Sequence, residues 1–210
     1  MKKIFIIPIL FFFTLAANAS SSYQVEIIIF EHLHHDPDEE ISKTGLKLTD
    51  FENSVNLDET GNSNDSAFKL LSSGFYKLGG VFNELKFSRN YRPLLHMAWE
   101  QPALNQSHAR NVRIMKIEND GQTGIDPVIK IDGIIRIRSA QFLHADVDLL
   151  YFVNPLSASF IQSNAGGDPA STIQVEFAEL KETRKMKLNE LHYFDNPVFG
   201  LLLWISRFNN

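Results

Sequence analysis

The sequence offers seven histidines, twenty-five carboxylates and no cysteine, so acid–base or metal chemistry would fall to imidazole and carboxylate. Positions 32–36 read HLHHD, three histidines and an aspartate whose donor atoms suit a transition metal. No fourth ligand is placed by spacing, and a cluster at the exit of a strand reads as solvated loop, so no metal is expected. His192 and Asp195 stand three apart in ELHYFDNP (190–197), the types of half a catalytic pair. Asn196-Pro197 marks a turn, however, so the two read as residues steadying the approach to it. His96, His144 and His192 each follow a leucine, in LLHMA, FLHAD and ELHYF. Neighbouring strands could unite them in a site; on the polar face of a sheet such residues make structural hydrogen bonds. There is no Gly-rich phosphate loop, nucleophile elbow or zinc-ligand spacing, and neither an enzyme nor a cofactor is expected.

A second group is set by alternation. Residues 129–153 are too long for one strand, since extended they would run roughly 80 Å, and a hairpin is the natural solution. A three-residue loop at Ser139–Gln141 places Ile137 opposite Leu143, Ile135 opposite Ala145 and Ile131 opposite Leu149 on the core side. The same register sets Arg136 opposite His144 and Asp132 opposite Asp148 on the outer side. Arg136, Arg138, His144, Asp146 and Asp148 then share one face. Such a face is either a cross-strand ion-pair ladder or a polar groove for sugars and peptide carboxylates, and these five are the candidate ligand-binding residues. KETRKMK (181–187) reads as a solvated, lysine-rich strand edge.

The elements that must position these residues are mostly strands. YQVEIIIFEH (23–32) is β-branched and apolar on both sides, as an interior strand requires. YRPLLHMAWEQP (91–102) turns Leu95, Met97 and Trp99 one way and Leu94, His96 and Ala98 the other. Strands are also expected at 112–117, 172–180, around 184–193 and at 198–207. Leu71, Phe75, Leu78, Phe82 and Leu85 recur at helical steps, predicting one amphipathic helix from near Ser72. Gly79 and Gly80 fall inside it, and close approach to a sheet would explain them. The fold class is α+β: a mainly antiparallel β-sheet with one main amphipathic helix on one face.

Lys2 and Lys3 precede an apolar stretch from Ile4 to Leu15, and Ala17-Asn18-Ala19 supplies a small-x-small cleavage pattern. Residues 1–19 therefore read as a signal peptide, with residues 20–210 forming a single exported domain. No run reaches the roughly 18 to 20 residues of a transmembrane helix, so the chain is not expected to span a membrane. Without cysteine, disulfides and lipid attachment at cysteine are excluded, and a bacterial periplasm is the expected compartment. Residues 34–65 hold nine acids against Lys43 and Lys47, leaving the rest of the exported chain balanced at 16 acids and 16 bases. That balance excludes the basic footprint of a nucleic-acid binder. The acidic stretch reads as an exposed, mobile loop.

Four blocks, YQVEIIIF, YRPLLHMAWEQP, GIIRIRSAQFLHADVDLLY and ELHYFDNPVFGLLLWI, fall in order across most of residues 23–207. Together they resemble the CsiV family of periplasmic peptidoglycan-binding proteins from Gram-negative bacteria. The resemblance implies peptidoglycan as partner and a role in cell-wall biogenesis and cell shape. It also implies support of the outer-membrane lipoproteins that activate bifunctional wall synthases, the penicillin-binding proteins. It brings no catalytic residues, and no ligand contacts that can be carried over position by position. Two alternatives stay open. A wall hydrolase or amidase would need histidines and carboxylates converging in one pocket, and an outer-membrane assembly scaffold would need an exposed apolar edge strand.

Overall fold

Apolar side chains on both faces of one strand require cover on both faces, and the structure supplies it for β1 (Ser22–His32). The computed structural model describes residues 22–34, 53–57, 63–118, 127–157 and 175–208. In it β1 is the middle of a five-stranded sheet with β2 (Lys69–Leu70), β3 (Tyr91–Pro102), β8 (Leu191–Asp195) and β9 (Phe199–Phe208), in the order β2-β3-β1-β9-β8. A second sheet takes β4 (Asn111–Glu118), β5 (Val128–Ser139), β6 (Leu143–Ser157) and β7 (Phe177–Met186) in sequence order. The strand pairings in both sheets are antiparallel. Register stacks the core side of the first sheet in rows: Trp99, Val25 and Ile205; Met97, Ile27 and Leu203; Leu95, Ile29 and Leu201. These meet Val112, Ile114, Ile131, Ile135, Ala145, Val147 and Leu149 of the second sheet in one apolar cluster. Two contacts cross between the layers at one end. The rings of Tyr151 and Phe199 stack with centroids 5.6 Å apart, and the Tyr151 hydroxyl donates to Glu31 Oε1 at 2.6 Å. Where β7 and β8 adjoin, Arg184 Nη1 donates to the Tyr193 carbonyl at 2.5 Å and Asn196 Nδ2 to the Glu179 carbonyl at 3.0 Å.

The other face of the first sheet carries the helix, which starts later than its apolar spacing predicts. Residues Ser73–Phe75 form a single 3₁₀ turn, and α1 runs from Gly79 to Phe87. The interval stays non-helical because the N–H groups of Lys77 and Leu78 go to the Glu26 carboxylate, at 2.7 and 2.8 Å, instead of to carbonyls four residues back. Gly79 and Gly80 thus open the helix, and a Cβ at either would have nothing within 4 Å, so close approach to the sheet is not their reason. Leu78, Val81, Phe82 and Leu85 do bury against Ile28, Phe30, Leu202 and Trp204.

The hairpin turn also falls one residue later than read. Ser139 pairs with Leu143 around a loop of Ala140-Gln141-Phe142, so Ile137 faces Ala145, Ile135 faces Val147 and Gly133 faces Leu149. Arg136 consequently lies opposite Asp146 rather than His144, and Asp132 opposite Leu150 rather than Asp148. Moving the turn by one residue moves the pairing by two, which keeps every side chain on its predicted face. β7 runs on through 181–186 instead of ending at Leu180, and the turn to β8 follows it at 187–190. The expected signal peptide lies outside the described residues, as does most of the acidic stretch. Within that stretch Val55 is buried in the core, and its backbone joins the edge of β4 through Val55 N–H to the Asn111 carbonyl (2.7 Å) and Arg113 N–H to the Val55 carbonyl (2.9 Å). The reading of an exposed loop therefore does not extend to residue 55. Val55→Ala should lower the unfolding free energy by about 1–3 kcal/mol in urea melts; no loss would mean the strand edge holds without it.

Candidate functional site

Alternation along β5 and β6 gives Ile131, Ile135, Ile137, Leu143, Ala145, Val147, Leu149 and Tyr151 to the core and turns Arg136, Arg138, His144, Asp146 and Asp148 to the opposite face. Two guanidinium groups converge on one acid there. Arg136 Nε and Arg138 Nε each donate to Asp146 Oδ2 at 3.0 Å, Arg138 Nη2 reaches Oδ1 at 3.3 Å, and Thr183 Oγ1 of β7 donates to Oδ1 at 2.8 Å. Burial pushes the Asp146 carboxyl up, but the bonds from Arg138, Thr183 and Arg136 together outweigh it and hold the group below its ordinary range. The ladder is thus intact at neutral pH and loosens only as pH falls through that lowered value. Beside it Asp148 Oδ2 takes Lys181 Nζ at 2.5 Å, which raises the lysine above its usual value. On the same face Arg113 of β4 grips the buried Asp132 carboxylate with Nε and Nη2 at 3.0 and 2.9 Å.

These groups border a shallow concavity of about 460 Å³ lined by Asn111, Ile134, Arg136, Asp146, Asp148, Lys181 and Thr183 among others. Arg138 reaches its rim through the shared Asp146. His144 stands apart, toward the turn, with Nδ1 3.2 Å from the Phe142 carbonyl. Asn111, Lys181 and Thr183 join the face without having been assigned to it. The period-two pattern of 177–186 could have found the last two, had the strand not been ended at Leu180. Because two guanidiniums carry ten N–H donors and one carboxylate offers about four acceptor sites, the trio holds one net positive charge and spare donors.

The histidines do not assemble. His96 is clamped under α1, its Nε2 donating to Glu26 Oε1 at 2.8 Å. His192 accepts from the Lys187 N–H at 3.3 Å, and burial lowers its pKa. His192 and Asp195, three apart on an extended strand, point to opposite faces, and Asp195 meets His32 instead, at 3.9 Å. His32 Nδ1 lies 3.1 Å from the Pro197 carbonyl, while His34 is exposed; His35 and Asp36 lie outside the described residues. Among the described residues no group of three or more histidines and acids is arranged to hold a metal ion, and no helix is long and apolar enough to cross a membrane.

The family model of CsiV, described as a peptidoglycan-binding protein, matches residues 3–208. The chain belongs to the CsiV family. No curated protein and no solved structure matches it. The span matched by the CsiV model contains both sheets, the helix and all five residues of the polar face.

Proposed function

We propose that this chain is a non-enzymatic periplasmic protein that binds peptidoglycan and supports wall assembly by synthases and their outer-membrane lipoprotein activators. Family membership supports the ligand, and the observation that carries the reading to residues is the pair Arg136 and Arg138 sharing Asp146 at the rim of an open concavity. Wall polymer presents sugar hydroxyls, amides and stem-peptide carboxylates. A face with surplus guanidinium donors, a lysine, two acids and a threonine hydroxyl can bond all of these at once. The separate placements of His96, His144 and His192 speak for binding over hydrolysis. The charged residues of β7, the last strand of its sheet, speak against a scaffold that works by strand addition.

Arg136→Gln with Arg138→Gln keeps length and hydrogen-bonding capacity while removing charge. In pull-downs on purified sacculi, with albumin as control, the double variant should be retained about tenfold less than the unaltered protein, with a change in unfolding free energy of about 1 kcal/mol per ion pair or less. Unchanged retention with lowered melting would leave the arginines a ladder that steadies the hairpin and nothing more.

A further inference from the structure

On the helix side of the first sheet, at the margin of the area covered by α1, four rings gather toward the ends of three strands. Phe30 is the centre. Tyr91 meets it edge-on with centroids 5.2 Å apart, Tyr193 lies nearly parallel at 6.0 Å, and His32 stands 5.6 Å from Phe30 and 5.4 Å from Tyr91. The gathering depends on a missing side chain: a Cβ at Gly200 would come within 2.6 Å of the Phe30 ring and 2.7 Å of the Tyr193 ring. Polar atoms edge the rings. The Tyr193 hydroxyl donates to Asp195 Oδ1 and lies 3.3 Å from His32 Nε2. Tyr91 is 38% exposed, Tyr193 41%, and the Asp195 side chain 63%.

Half-exposed tyrosine rings bordered by a carboxylate and an imidazole match one chemistry closely. A pyranose ring has an apolar C–H face and a rim of hydroxyls, so it can lie on a tyrosine while its rim bonds the acid. An apolar protein surface would bury the Asp195 carboxylate without replacing its water, which is costly. We infer that Tyr91, Tyr193, His32 and Asp195, seated on Phe30 and the Gly200 notch, form a saccharide platform for the glycan strand of wall polymer. Its ligand is a run of β-linked amino sugars free of any need for stem peptide. The inference rests on the reading of the chain as a wall-polymer binder but uses the opposite side of the sandwich from the Arg136 face, so the two sites can be tested apart.

Whole sacculi and glycan strands stripped of peptide by amidase are the two pull-down matrices, and chitotetraose is the soluble probe. The unaltered protein should be retained on both, and the aromatic ring resonances of Tyr91 and Tyr193 should shift on adding chitotetraose. Tyr91→Ala with Tyr193→Ala should weaken retention on stripped strands about tenfold or more. Asp195→Asn, at an exposed position, should weaken strand binding without altering melting. Retention on sacculi but not on stripped strands overturns the platform and leaves wall binding standing; retention on neither overturns both. A folded double tyrosine variant that holds strands within about twofold of the unaltered protein also overturns it. Should that variant fail to fold, unmoved tyrosine resonances in the unaltered protein, or unimpaired binding by Asp195→Asn, overturn it instead.

Discussion

Glu26→Ala should lower the unfolding free energy by roughly 3–5 kcal/mol, the range for removing one partner from a buried charge network. Glu26 has no solvent exposure, and its carboxylate accepts three hydrogen bonds, from the backbone N–H groups of Lys77 and Leu78 and from His96 Nε2. Alanine would leave two backbone donors and an imidazole without acceptors beneath the helix, each at the cost of its lost water. His96 itself is held between rings, with Tyr76 4.5 Å and Phe82 4.8 Å away, so it cannot swing out to solvent without unpacking α1. Gln24 adds a parallel tether two residues earlier, its Nε2 donating to the Phe75 carbonyl at 2.7 Å. Glu26→Gln keeps one acceptor oxygen and turns an NH₂ toward a donor, so its loss should be smaller than that of alanine. Urea melts give the energies, and amide exchange should show α1 opening ahead of the sheets in both variants. A cost below about 1 kcal/mol for alanine would mean that the apolar contacts of Leu78, Phe82 and Leu85 dock the helix without the carboxylate.

Glu26 also marks where sequence reasoning stops. The apolar faces of β1 and β3 were legible because a period of two needs only the strand itself, and the shared face of Arg136, Arg138, His144, Asp146 and Asp148 followed from the same rule. An acid inside an apolar strand has no such local signature, since its partners Lys77, Leu78 and His96 lie some 50 to 70 positions away. The helix start was misplaced for the same reason. Leu71 and Phe75 continue the helical spacing, but the N–H groups that would extend α1 backward belong to Glu26. The hairpin turn slipped by one residue because no glycine at 139–142 pins a left-handed position. The meeting of His32 with Asp195 and Tyr193 joins the two ends of the first sheet's chain path, a contact made by strand order alone.

Gly133→Ala should cost about 3 kcal/mol, at the upper end of what overpacking usually costs, because the obstruction is backbone. Gly133 lies in β5 opposite Leu149 and next to Ile114 of β4, on the core side. A Cβ there would run into the Asp148 carbonyl oxygen and come within 2.7 Å of the Leu149 Cα. A flexible side chain could swing aside, whereas a main chain bonded into a ladder moves only by opening the β5–β6 pairing. The strain would reach the polar face, since Asp148 takes Lys181 and the Gly133 N–H donates to Asp132 Oδ1 at 3.0 Å, the same carboxylate that holds Arg113. The folded fraction of Gly133→Ala should accordingly hold sacculi less well, although no charge has changed. Gly80→Ala is the internal comparison. Nothing stands within 4 Å of its Cβ and it opens a helix, so alanine there should gain up to about 1 kcal/mol. Equal and small effects at the two glycines would show that β5 and β6 can part at residue 133 without loss, and the tight approach of those strands would then play no part in shaping the groove.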